Sequence, residues 1–320
     1  MKQVQHYVPQ FLLRRFALQR RKRHRAVHQI WVKDLKQDRS YVSAVGDVAA
    51  EAGFYRLREG GPDADWLEQQ LSAIEEIAAP AVARLAENFD WHAHTDEDRV
   101  TLSIFMISLY TRGPRVRRNL SEIAGQVLER LDAQGDPPAP SLRAELEAAQ
   151  ASDPVPNHSG VILDTARSYG ALVERSWWLL VPPVGSRFIC SDGPVLLENP
   201  LPAPPHRGNV GLLVDGIVIY LALSPHLMLM VADSVHGLPD HGVRHIGAEE
   251  FRRLQWLTGF HTERFIYGRA KEDLVVPEGS WVGGRRLQIL SPPLRQADTA
   301  RPRLGSAGRW TPSTGPFSGV

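Results

Sequence analysis

Apolar residues recur in this chain first at helical spacing and later at strand spacing. Near the start, Phe11, Leu12 and Phe16 share one face of a short helix that Pro9 initiates. Proline suits that position because its missing N–H would have no intrahelical partner. Gln10 and Arg14 fall on the flank beside His6, so the imidazole is held between a packed helix and polar neighbours. The stretch from 27 to 34 alternates around Ile30, Trp31 and Val32 and reads as a strand, with a second strand over 41–45 returning through a polar turn. The run Arg20–Arg25 before it reads as a solvated loop. Trp66, Leu67, Leu71, Ile74, Ile77 and Ala78 mark the buried stripe of a helix that Asp63 or Asp65 can cap, with a kink expected at Pro80.

Thr95 followed by Asp96, Glu97 and Asp98 places acids where a helix dipole favours them. The helix that follows is apolar on most sides over 102–110, which predicts a central position, and Gly113-Pro114 ends it. An amphipathic helix over about 115–131 has a basic first turn, against the dipole preference. Short helices are expected over 142–151 and 159–174. Strands are expected over 176–181, 187–190, 217–223 and 227–232, then a helix over 249–259 and an extended segment over 264–267. The pattern predicts a single α+β domain over 1–291, its helical first half packed on a largely antiparallel sheet from the second half. The Pro-, Gly- and Arg-rich residues 292–320 read as a disordered tail.

Composition changes this picture in two places. One cysteine, Cys190, rules out an intrachain disulfide. The Met-Lys start lacks the apolar region of a signal peptide, and no apolar run is long enough to span a bilayer. A soluble, cytoplasmic protein is expected, with no membrane partner. The net charge of +1 hides an asymmetry: residues 1–39 carry +9 and residues 284–320 carry +5, which leaves −13 on the body. Basic ends on an acidic body are either self-complementary or meet an external polyanion such as nucleic acid.

The chain resembles the bacterial family catalogued as domain of unknown function 4238. The resemblance rests on His6-Tyr7-Val8-Pro9-Gln10-Phe11 with Leu13, Arg14 and Phe16, then Lys33-Asp34, Val48-Ala49, Glu51 and Phe54-Tyr55. It continues through Glu68, Glu75, Arg112 and Trp178 to Ser191-Asp192 with Pro194 and Leu223-Ser224-Pro225. It covers most of residues 4–270 and implies no reaction. Gln5 stands where members often carry a second histidine, so a histidine-pair metal site is not implied here.

The candidate site joins His6, Glu51, Glu75 and Asp192 as catalytic groups with Gln10, Arg14, Tyr55, Arg112 and Ser191 as substrate-binding groups. An imidazole can serve as acid or base, carboxylates can orient it or activate water, and arginines can grip a phosphate or carboxylate. The set suits hydrolysis of an anionic substrate, a phosphodiester among the candidates, and expects His6 and Asp192 to line one wet cavity. The competing readings are a non-catalytic module that binds a small anion or nucleic acid, and a buried polar network in which Arg112 pairs with Glu75. Ser191-Asp192-Gly193-Pro194 is equally good turn chemistry. The sets His92, His94, Asp96, Asp98 and His236, Asp240, His241, His245 mimic metal clusters without a closed-site spacing, so no metal ligands are assigned. Phosphate-loop and dinucleotide motifs are absent, and the sequence points to no cofactor and to no oligomeric state.

Overall fold

A three-residue strand, β1 (Val4–His6), precedes the proline-initiated helix α1 (Gln10–Arg15), whose Leu12 and Leu13 are fully buried. The structure, a computed structural model, describes residues 4–22, 25–55, 66–92, 94–133, 139–151, 154–203 and 209–282. The stretch expected to form a disordered tail lies outside them, as do Asp63 and Asp65.

Next come β2 (Leu18–Lys22), β3 (Arg25–Asp34), β4 (Arg39–Ala44) and β5 (Ala50–Ala52). Within the basic run expected to be a loop, Arg20, Arg21, Lys22 and Arg25 are instead paired strand: β2 and β3 are antiparallel with Arg20 opposite Val27. Helices α2 (Trp66–Asn88), α3 (Asp96–Thr111), α4 (Pro114–Ala133), α5 (Pro140–Ala151), α6 (Pro154–Ala166) and α7 (Gly170–Val173) fill the middle of the chain. α2 continues through Pro80, and the single helix expected over 159–174 is two. The capping box at Thr95 is present, and α3 buries Leu102, Phe105, Met106 and Ile107 among α2, α6 and α7, which explains why it is apolar all round.

The rest is β6 (Ser176–Val181), β7 (Cys190–Ser191), β8 (Val195–Glu198), β9 (Val218–Ser224), β10 (Leu227–Ala232), β11 (Gly242–His245), α8 (Ala248–His261) and β12 (Phe265–Gly268). One sheet runs β2-β3-β12-β7 with β4 on the other edge of β3; the second runs β11-β6-β10-β9-β8. Pairing is antiparallel except between β6 and β11. β8 and β11 are short strands that the hydrophobic pattern did not announce. The fold is α+β. β9 and β10 are buried along their whole length; α1 and α2 pack against β9, and α8 packs against β7 and β8. No helix among the described residues is long and apolar enough to cross a membrane.

The basic first turn of α4 finds its partners here. Arg115 donates to the Phe260 carbonyl at the end of α8 (2.9 Å) and lies over the Phe260 ring. Arg117 lies over Phe54 and pairs with Glu51 at 3.7 Å, and Arg118 pairs with Glu263. The tertiary contacts of these three arginines offset an unfavourable dipole term of about 0.3–1 kcal/mol per charge.

Candidate functional site

Three consecutive turns of chain bring the first polar row together. His6 ends β1, and Gln10 and Arg14 follow at helical spacing on α1. Arg14 donates to Gln10 Oε1 (2.9 Å), and Gln10 Nε2 lies 3.4 Å from His6 Nε2. His6 Nε2 also lies 3.2 Å from the Gly46 carbonyl oxygen. The Gly46 carbonyl only accepts and the Gln10 amide nitrogen only donates, so these two contacts to Nε2 belong to opposite tautomers of the ring.

Opposite this row stands one face of α2. Glu68, Ser72, Glu75, Glu76 and Ala79 recur at three- and four-residue spacing and line, with His6, Gln10, Phe11, Arg14 and Tyr55, an open cavity of about 430 Å3. Gln5 fastens the two sides. Its side chain is fully buried, accepts from Tyr55 N (2.6 Å) and donates to Glu68 Oε2 (2.7 Å). Gln5 is therefore a hydrogen-bonded brace.

Behind Glu75 lies Arg112, which is 1% exposed and is not among the lining residues. Its Nη1 donates to Glu75 Oε1 (2.7 Å), as the network reading anticipated, while Nε and Nη2 have no hydrogen-bond partner among the described residues. Buried guanidinium donors without acceptors are costly, about 1–3 kcal/mol each. Tyr55 donates to the Arg112 carbonyl (3.4 Å), and burial drives its hydroxyl well above the ordinary tyrosine range, so it acts here as a neutral donor.

Five of the nine expected residues thus share the cavity: His6, Gln10, Arg14, Tyr55 and Glu75. Asp192 does not. It is buried, and its carboxylate accepts from Glu263 N (2.7 Å), Arg264 N (2.8 Å) and Phe265 N (2.7 Å), fixing the entry to β12. Consecutive strand residues face opposite ways, and it is Tyr7, not His6, that turns toward Asp192. Burial first, then the Asp192 charge, push the Tyr7 hydroxyl upward. Ser191 is also fully buried and accepts from Gly193 N (3.2 Å), so the Ser-Asp-Gly-Pro motif takes its turn role. The expected convergence of His6 and Asp192 on one wet hollow does not occur. Glu51 is exposed beside Arg117 on the far side of β5 from the cavity lining.

Glu68, Ser72 and Glu76 were not among the expected site residues. Their signal was available as a polar stripe on α2 that complements its apolar one, but nothing local shows which helix flank will face His6. The two metal-like clusters disperse. His94 packs on Trp91 and Trp177, Asp98 completes the α3 capping box, and His236 bonds the Gly216 carbonyl (2.9 Å). Among the described residues no group of three or more His, Cys, Asp or Glu is placed to hold a metal ion.

Three histidines, His158 and His261 buried and His94 half-buried, set an acid limit. Burial lowers His94, His158 and His261 to about 4, although His158 and His261 bond the Thr111 and Leu197 carbonyls. A depressed folded-state value stabilises above the unfolded value near 6.5 and is lost as pH falls through 4. Asp192 works oppositely: burial pushes it up to about 7 against its three N–H donors, so its contribution is lost as pH rises through 7. Near pH 5 unfolding therefore gains three histidine protons and releases one aspartate proton, a net uptake of two. Asp34, held below the usual range by the Arg264 guanidinium, adds its loss only below about pH 4. Urea midpoints are expected to fall steadily from pH 6.5 to 4; a flat profile would refute neutral buried histidines.

A family model described as a protein of unknown function (DUF4238) matches residues 4–272. No curated protein and no solved structure matches the chain.

Proposed function

From a chain that belongs to the DUF4238 family, we propose a hydrolase-like protein whose cavity between α1 and α2 cleaves a small anionic ester, phosphodiesters being the favoured class. The observation that carries this reading is that His6 and Glu75 open onto the same cavity as Arg14. The unprotonated ring nitrogen of His6 takes a proton from water as its oxygen attacks the phosphorus or carbonyl centre, and the resulting imidazolium returns that proton to the leaving oxygen. Glu75 accepts from Arg112 through Oε1, and its other oxygen can accept from the attacking water. Arg14 supplies the cation for the substrate's charge, with Gln10 fixing its fork.

Glu68, Glu75 and Glu76 line the same cavity and repel a polyanion, so a small monoanion fits better than nucleic acid. A cytoplasmic, bacterial setting agrees with the lone, buried Cys190. The test is hydrolysis of bis(p-nitrophenyl) phosphate against the neutral p-nitrophenyl acetate. The phosphodiester is expected to be cleaved, with Arg14→Gln raising its KM about tenfold or more and leaving the acetate rate unchanged. Equal effects on both substrates would remove Arg14 as the anion grip, and no phosphodiester cleavage would end the reading.

A further inference from the structure

A second and larger cavity, about 820 Å3, lies on the other side of the molecule's second sheet, walled by β8, β9, β10, β11 and the start of α8. None of its lining residues is shared with the first cavity. Its floor is built by strand alternation. Val218 and Tyr220 on β9 stand opposite Ala232 and Met230 on β10, so all four present one apolar face. The volume falls within the range of small-molecule sites, about 300–1,000 Å3.

The mouth is polar and its charges do not cancel. Arg253 pairs with Glu198 and lies 3.8 Å from Glu250, and Arg244 donates to Glu250 (2.6 Å). Each of these two carboxylates is thus met by an arginine. Glu249 also lines the cavity, is exposed, and adds a third carboxylate against two guanidinium groups. Residues 1–283, which include every element walling this cavity, hold a net formal charge of −4, the same sign as its mouth.

We propose that this cavity is a binding site for a small amphipathic amine, its apolar body on the β9–β10 floor and its ammonium group at Glu249. Apolar burial supplies the affinity, at about 25 cal/mol per Å2, and the excess carboxylate selects the head group. The site is separate from the hydrolytic cavity, so its occupancy does not depend on the reading given above.

A matched trio of probes tests it: phenylbutylamine, phenylbutanol and phenylbutyrate, titrated calorimetrically into the full chain. The amine is expected to bind one per chain and about tenfold or more tighter than the carboxylate, with the alcohol between. Glu249→Gln, at an exposed position, should weaken the amine about fivefold and leave the alcohol unchanged. Ala232→Leu should exclude all three by filling the floor; if that variant does not fold, Val218→Leu serves the same purpose. His6→Ala should leave amine binding intact. Absence of saturable amine binding, a carboxylate that binds as well as the amine, or indifference of the amine to Glu249→Gln would each overturn the proposal. Loss of amine binding in His6→Ala would do so too, because it would move the bound molecule to the first cavity.

Discussion

Asp192→Ala is expected to cost about 4 kcal/mol of unfolding free energy while leaving turnover per folded molecule unchanged. The carboxylate satisfies three successive backbone N–H groups at 2.7–2.8 Å in a place without solvent. Truncation leaves those donors buried and unpaired, at about 1–3 kcal/mol each. The same segment is also held by Asp34, which receives Arg264 Nη2 at 2.6 Å, and by the pairing of β12 with β3 and β7, so the cost is that of the unpaired donors rather than loss of the strand. Asp192→Asn keeps one acceptor oxygen and sets an amide against the remaining donors, so its cost should be intermediate. Urea unfolding of the three proteins measures this directly. A stable Asp192→Ala variant that has lost turnover would return the aspartate to the reaction.

Helical parts of the fold were the most legible in the sequence, and the reason is local. Thr95 with Asp98, Pro9 and Gly113-Pro114 act through neighbours in sequence, and the structure has helix boundaries at each. Four-residue β12 was anticipated as an extended segment over 264–267, but most short strands were not legible. β1, β5, β8 and β11 are three or four residues long and owe their existence to partners far along the chain, such as Ala50 opposite His6. The site divides in the same way. His6, Gln10 and Arg14 lie within nine residues and their neighbourhood follows from helix spacing. Which carboxylate meets them depends on the packing of α2 against α1, and Glu75 rather than Glu51 is the one placed there. Asp192 misled because a charged residue beside a strand end looks the same whether it serves a substrate or three backbone amides.

The account holds that the cavity between α1 and α2 is the reactive one and that His6 is its acid–base group. His6 is partly exposed and makes one backbone contact, to the Gly46 carbonyl at 3.2 Å, whose loss is worth about 1 kcal/mol. Removing a general acid–base group costs about 10²–10⁴-fold in rate. His6→Ala should therefore separate stability from activity as sharply as Asp192→Ala does in the opposite direction. The deciding measurement is phosphodiester turnover per folded molecule of His6→Ala, with its urea unfolding curve recorded on the same preparation. A rate lower by about 10²-fold or more, with unfolding free energy within about 1 kcal/mol of the parent, is the predicted result. An unchanged rate in a protein destabilised by several kcal/mol would contradict it.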